Sequence, residues 1–273
     1  MKDETEKNNN LNSNKNIVEI VPTVMPTSYK DFVEKINRVS DFVKTIQIDV
    51  MDGKFVPSTS WPYDFKKEET IEKTGMETVE NIESENSTET EENSIDTDWN
   101  KLINQEEGIP HWQDNKFEVD LMVEDQIIEA QNWVSAGVDR VIFHIEAFKE
   151  SPEKIKEEIL KIKEQGVEIS MALVPQTPNS VLDDYLDILD SVQFMGINKI
   201  GYQGQDFAPE VLEKISELHS KKPELPISID GGVSFKTVRD LAKAGAVRLA
   251  SGSTIFKAES AERVIGDLKK MVN

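Results

Sequence analysis

From Phe117 to the end of the chain, short apolar runs of period two alternate with longer segments of period 3.6, and no other feature limits the fold as strongly. The spacing predicts strands at Phe117–Met122, Arg140–Glu146, Glu168–Val174, Ser191–Ile197, Ile227–Asp230 and Val247–Ser251. Between and after them it predicts helices over about 124–136, 151–165, 180–189, 209–220, 234–244 and 260–272. Gly137, Gly166 and Gly245 supply stops, and Ser151-Pro152 is a well-formed N-cap and first turn. Upstream, Ile17–Thr23 and Thr45–Met51 read as strands. A helix from Ser28 carries Phe32, Val33, Ile36 and Val39 at helical spacing, and a short one follows Asp98-Trp99. Strands alternating with helices of this length pair in parallel, so eight of each predict an α/β fold, a (β/α)8 TIM barrel. The alternative, a doubly wound open sheet, would carry a Gly-rich fingerprint after its first strand, and none is present.

Two stretches depart from this rhythm. Residues 1–16 are rich in Asn, Lys and Glu and read as a disordered tail. Asp64 to Asp98 holds 13 acidic and 3 basic residues, a net of −10 within a formal chain charge of −21. Its isolated Ile and Val residues cannot bury enough surface to offset chain entropy, so about 66–97 reads as a disordered acidic insertion in the second β-to-α loop. Residues 17–273 are then one barrel domain interrupted by that insertion. The negative charge argues against nucleic acid and anionic membrane as partners. No apolar run approaches the roughly 20 residues needed to cross a bilayer, and no signal-peptide pattern opens the chain. The absence of cysteine excludes disulfides and thiolate metal sites and makes a reducing cytoplasm the expected location.

In such a barrel, chemistry sits at the C-terminal ends of the strands. Those positions hold Thr23, then Gln47, Asp49 and Met51, then Asp120 and Met122, His144 and Glu146, Met195 and Asn198, Asp230, and Gly252-Ser253. Asp49 ends the second strand and Asp230 the seventh, which brings two carboxylates to one mouth from nearly opposite sides. Carboxylates facing each other across a substrate suit removal of a proton from one face of a carbon and its return to the other. Shared charge and burial would raise at least one of their pKa values. The plainer alternative is that each is an Asp capping a turn before glycine. Asp230-Gly231-Gly232 and Ser251-Gly252-Ser253 follow the seventh and eighth strands, where this fold holds phosphate through backbone N–H groups. Two ordinary turns are the alternative there.

These residues resemble the ribulose-phosphate 3-epimerase family. The resemblance is carried by Val21-Pro22-Thr23, the string from Asp49 through Asp52-Gly53-Lys54-Phe55-Val56 to Pro57, and Asp120-Leu121-Met122-Val123. It continues through His144-Ile145-Glu146, Gly204-Gln205-Asp206-Phe207, Ile229-Asp230-Gly231-Gly232-Val233 and Gly252-Ser253, and so covers the whole barrel. It implies a ribulose-phosphate-binding barrel and C3 epimerisation of a ketopentose 5-phosphate, ribulose 5-phosphate to xylulose 5-phosphate, through an enediolate. Asp49 and Asp230 match the family's acid/base pair. Gly204, Gly231, Gly232, Gly252 and Ser253 fall in its phosphate loops, and Thr23 takes the place of a serine. Met51, Met122 and Met195 match methionines around the reaction centre; without the resemblance they read as core filling. A phosphorylated ketose is the implied partner, and a homo-oligomer is an open alternative to a monomer.

The resemblance also implies a divalent metal, often zinc, held by two histidines and the two aspartates. Here Gln47 and Asp120 stand where those histidines would be. Gln47, Asp49, Asp120 and Asp230 are an all-oxygen set better suited to Mg²⁺ or Mn²⁺ than to Zn²⁺, with Fe²⁺ a further candidate. Three converging carboxylates repel unless a cation binds or one is protonated. Alternatively Asp120 points elsewhere, no metal binds, and His144 contributes or is simply hydrogen-bonded in the barrel mouth. The loop from Asn198 to Gly204 lacks the family's usual proline and is one residue longer, with Lys199 as an added charge. The competing reading of a different class is a non-catalytic or regulatory phosphate-binding barrel that has lost its metal site. A related epimerase or lyase acting on a hexulose phosphate is a further enzyme alternative.

Overall fold

The computed structural model describes residues 17–63, 97–202 and 204–273. The expected tail at 1–16, and the expected insertion apart from its last residue, lie outside the described residues. That residue, Thr97, already belongs to a helix. The strands are β1 (Glu19–Val24), β2 (Thr45–Met51), β3 (Lys116–Met122), β4 (Arg140–His144), β5 (Glu168–Leu173), β6 (Ser191–Met195), β7 (Ile227–Asp230) and β8 (Arg248–Ser251). They pair in parallel, in sequence order, and β8 closes on β1 to complete a barrel. Nearly every strand residue is buried because one face fills the barrel interior and the other packs under helices.

The helices are α1 (Tyr29–Asn37), α2 (Thr97–Ile103), α3 (Gln126–Ala136), α4 (Pro152–Lys163), α5 (Val211–Lys221), α6 (Val238–Ala244), α7 (Ser253–Phe256) and α8 (Ala261–Val272). Helix α1 starts where Ser28 Oγ accepts from Asp31 N, a cap of about 1 kcal/mol. It buries Phe32 and Ile36 against the sheet. Helix α8 repeats the design, capped by Ser260 and burying Ala261, Ile265 and Leu268 at spacings of four and three. Gly137 ends α3 as the sequence predicts. The expected helix over 180–189 is not formed. Asn179–Leu182 is a single 3₁₀ turn, and beyond it Tyr185 and Ile188 still bond three residues back rather than four. Asp183, Asp184 and Asp187 crowd this stretch, and aspartate disfavours continuous α-helix.

Two features frame the mouth. Three indoles pack together where the chain leaves β2 and returns: Trp61 meets Trp99 of α2 edge-on at 5.5 Å, and Trp99 lies tilted 4.6 Å from Trp133 of α3. Beyond β2, Asp52 Oδ1 accepts from Lys54 N and Phe55 N, while Oδ2 accepts from Glu124 N, which fixes the turn at Gly53. At the opposite end of the barrel Glu118 of β3 is bonded by Arg140 and Arg248, each at 2.5 Å. Those arginines also pair with Glu168 and Glu19 respectively.

Candidate active site

Register delivers the acidic residues to one level: Asp49 lies beside Asp120 across the β2–β3 pair, and Met195 beside Asp230 across β6–β7. One carboxylate oxygen each from Asp49, Asp120 and Asp230 lies within 4.8 Å of the other two, and all three residues are buried. The pair expected from nearly opposite sides therefore meets near the barrel axis. Its contact is made by Gln47, whose Nε2 donates to Asp49 Oδ1 at 2.9 Å and to Asp230 Oδ2 at 3.0 Å. Hydrogen bonds to charged groups are worth about 1.5–3 kcal/mol, so this amide offsets part of the repulsion between the carboxylates it joins. Gln47 Oε1 is buried with no partner.

Asp120 is held separately. Its Oδ1 pairs with His144 Nε2 at 2.8 Å and its Oδ2 accepts from Gln193 Nε2 at 3.1 Å. Of the two readings of His144, the structure shows the hydrogen-bonded one. Gln126 clasps the His144 backbone, accepting from its N–H and donating to its carbonyl. His144 Nδ1 and Glu146 Oε2 face each other at 4.0 Å, too far to bond.

The electrostatics follow from burial and like charge. Burial, then the charges of Asp230 and Asp120, push the Asp49 carboxyl well above its ordinary range. Burial and the charge of Asp120 raise Asp230 to about 7, against the opposing pull of the Gln47 and Gly231 hydrogen bonds. For His144, burial opposes protonation, but the charge and hydrogen bond of Asp120 outweigh it and raise the imidazole. Burial and like charge thus favour the protonated forms of Asp49 and Asp230 relative to free carboxyls.

A cavity of about 350 Å³ opens above this cluster. Thr23, Asp49, Met122, Met195, Gly204, Asp230, Gly231, Gly232, Gly252 and Ser253, all singled out from the sequence, line it. Gln47 and Asp120 act from beneath it through their hydrogen bonds. Met51 does not line it; Val56 of the following turn folds over the strand end, and Met51 packs fully buried with Val56 and Met122. Gly231 and Gly232 have positive φ of 86° and 69°. A Cβ on Gly232 would stand 3.0 Å from Gly196 O and 2.8 Å from Phe207, so only glycine lets this backbone close on the cavity. Helices α6 and α7 are only 7 and 4 residues long, so the anion donors on offer are loop amides rather than helix dipoles.

Sequence reasoning missed Gln193, Gln126 and Ser60. Gln193 was detectable by the same rule that singled out Gln47, a polar side chain two residues before a mouth position on the same strand face. Ser60 donates to Asp49 O and accepts from Met51 N, bonds that leave no trace in periodicity.

The family described as "Ribulose-phosphate 3 epimerase family" matches residues 103–256, more than half of the chain. The chain belongs to the ribulose-phosphate 3-epimerase family. A ribulose-phosphate 3-epimerase of Schizosaccharomyces pombe is 37% identical over 156 residues, covering 57% of this chain and 66% of that protein. One of Bacillus subtilis is 28% identical over 262 residues, covering 93% of this chain and 99% of that protein. The first three curated relatives are spanned over only 61–66% of their own lengths. The family match holds Asp120, His144, Met195, Asp230 and the glycine loops; β1 and β2 precede it. Among solved structures, 3-keto-L-gulonate-6-phosphate decarboxylase of Vibrio cholerae superposes with a TM-score of 0.61 at 12% identity, covering 94% of this chain and 97% of that one. That likeness concerns the barrel fold alone.

Proposed function

We propose that this chain is a sugar-phosphate 3-epimerase that interconverts D-ribulose 5-phosphate and D-xylulose 5-phosphate. One observation carries the reading: two buried carboxylates from β2 and β7, bridged by one amide and raised toward neutrality, line the same cavity as a glycine-built anion cradle. Gln47 engages one oxygen of each carboxylate, Gly231 adds a hydrogen bond to Asp230, and both carboxylates line the cavity that substrate would enter. At neutral pH the two share a proton, so one is poised as base and the other as acid. The base takes the C3 proton, electrons move into the C2 carbonyl to form the enediolate, and the acid returns a proton to the opposite face of C3. Each turnover exchanges the two roles. Met122 and Met195 supply apolar walls, and the loops of Gly231, Gly232, Gly252 and Ser253 receive the phosphate.

The donor set fits a divalent cation. Three carboxylate oxygens converge, and the unpartnered Gln47 Oε1 is a fourth oxygen that a turn of the amide would bring to them. Asp49, Asp120, Asp230 and Gln47 would hold it, and hard Mg²⁺ or Mn²⁺ suits such oxygens better than Zn²⁺. When bound, it would stabilise the negative charge that develops on the enediolate oxygens. We further assign residues 17–273 to one barrel domain.

Incubation of the purified protein with ribulose 5-phosphate in D₂O tests the reaction. Deuterium at C3 together with xylulose 5-phosphate is expected. No exchange with Mg²⁺, Mn²⁺, Fe²⁺, Zn²⁺ or chelator would refute it.

A further inference from the structure

The cavity carries a marked charge asymmetry. Three of its lining residues are acidic, Asp49, Asp206 and Asp230, and among the described residues that line it Lys236 is the sole cation. In a chain of net charge −21, a phosphodianion approaching this mouth meets repulsion from both the cavity and the surrounding protein.

Lys236 sits where a reversal is useful. It follows Gly231 and Gly232 on the β7–α6 loop, so its ammonium and the glycine amides belong to one short segment. That segment is knit together. Thr237 Oγ1 donates to Gly232 O at 2.7 Å, Ser234 N donates to Thr237 Oγ1 at 3.0 Å, and Lys236 N donates to Ser234 Oγ at 3.3 Å. The Lys236 side chain forms no ion pair with any described residue, whereas many surface lysines of this chain are paired, among them Lys156 with Asp187 and Lys221 with Asp183. An unpaired ammonium at the lip of an anion cradle is available to the anion.

We propose that Lys236 is the side chain that selects for a phosphodianion on the substrate, closing a charge-assisted contact that the glycine loops alone do not make. This rests on the epimerase reading for the identity of the sugar but not for the anion. The ammonium is a point charge with three rotatable donors, so it can follow a phosphate that arrives in more than one orientation. The carboxylates sit at the barrel axis and the lysine at the rim, so the site is polarised along its length. A ketose with phosphate at one end and neutral hydroxyls at the other matches that polarity, and an unphosphorylated ketose does not.

Lys236 is exposed, so its replacement leaves the barrel intact. Lys236→Met should raise KM for ribulose 5-phosphate about tenfold, near 1.4 kcal/mol and the size of one charge-assisted contact, while kcat moves by less than about twofold. Inorganic phosphate as a competitive inhibitor should weaken by the same factor, and Lys236→Arg should recover most of both losses. Lys243, exposed on α6 and outside the cavity lining, serves as the control. Lys243→Met should change neither value by more than about twofold. Equal losses from the two lysines would indicate a diffuse field and overturn the proposal, as would an unchanged phosphate affinity in Lys236→Met. Calorimetric titration of wild type and Lys236→Met with inorganic phosphate needs no turnover. Lys236-dependent phosphate binding without epimerisation would refute the proposed reaction alone, and epimerisation indifferent to Lys236 would refute this assignment alone.

Discussion

Glu118 and Asp120 stand two residues apart on the same face of β3, both buried, and are treated in opposite ways. Glu118, at the closed end of the barrel, accepts from two arginines that are themselves shared with Glu19 and Glu168. Asp120, one side-chain level nearer the mouth, lies within 4.8 Å of two further carboxylates and is balanced by one imidazole and one amide. The floor pairs every buried charge with its opposite, and so fixes the strand ends. The mouth leaves like charges together, and amides partly compensate them. Burial of unlike charges is a structural solution, whereas burial of like charges stores free energy that a proton, a cation or a substrate can release. One strand thus passes from scaffold to chemistry within two residues.

The contrast can be broken at its chemical end first. Asp49→Asn should cut turnover about 10³-fold, roughly 4 kcal/mol in barrier, without loss of thermal stability, because it removes a repelled charge. Deuterium exchange at C3 and a melting curve on the same preparation check both halves. Glu118→Gln should do the reverse. It removes the carboxylate that Arg140 and Arg248 share, leaving each with Glu168 or Glu19 alone, and should cost about 3 kcal/mol of unfolding free energy in denaturant titration, with little change in kcat for the protein that stays folded.

The next effect depends on pH. The pKa of Asp230 is raised to about 7 by folding, so its ionised form is disfavoured in the native state. The resulting cost is absent below the unfolded value near 4 and grows as pH rises toward the folded one. Asp230→Asn should therefore stabilise the protein at pH 8 by on the order of 2 kcal/mol, with the gain vanishing near pH 4. A gain that persists at pH 4 would mean that the effect is not ionisation. Mn²⁺ at about ten times its dissociation constant should add about 1.4 kcal/mol of stability, more at pH 8 than at pH 6. Asp120→Asn should abolish that increment, while Glu118→Gln leaves it in place.

Much of this was readable in advance where a single period governed a segment. Asp49 and Asp230 could be placed because they terminate clean strands, and the glycine loops because each follows one. What escaped depends on partners far apart in sequence. Gln193 meets Asp120 across 73 positions, and Gln126 meets His144 across 18, distances that no periodicity encodes. The level of Glu118 was equally silent, since a lone glutamate on a buried strand reads the same whether two arginines await it or none. The stretch at 180–189 failed for a local reason, as its aspartates competed with an apolar pattern that otherwise favoured a helix.

The indole contact of Trp61 with Trp99 and Trp133 has a consequence for how this barrel can change. It holds the departure and return of the chain between Tyr63 and Thr97 side by side with core packing, so the barrel geometry is decoupled from the length of what lies between. Doubling the length of a flexible loop closed at such a junction costs only about 0.6 kcal/mol of closure entropy. The junction therefore works as a port, a place where this lineage can acquire, lengthen or exchange chain, or an engineer can install a reporter domain, without renegotiating the register of a single strand.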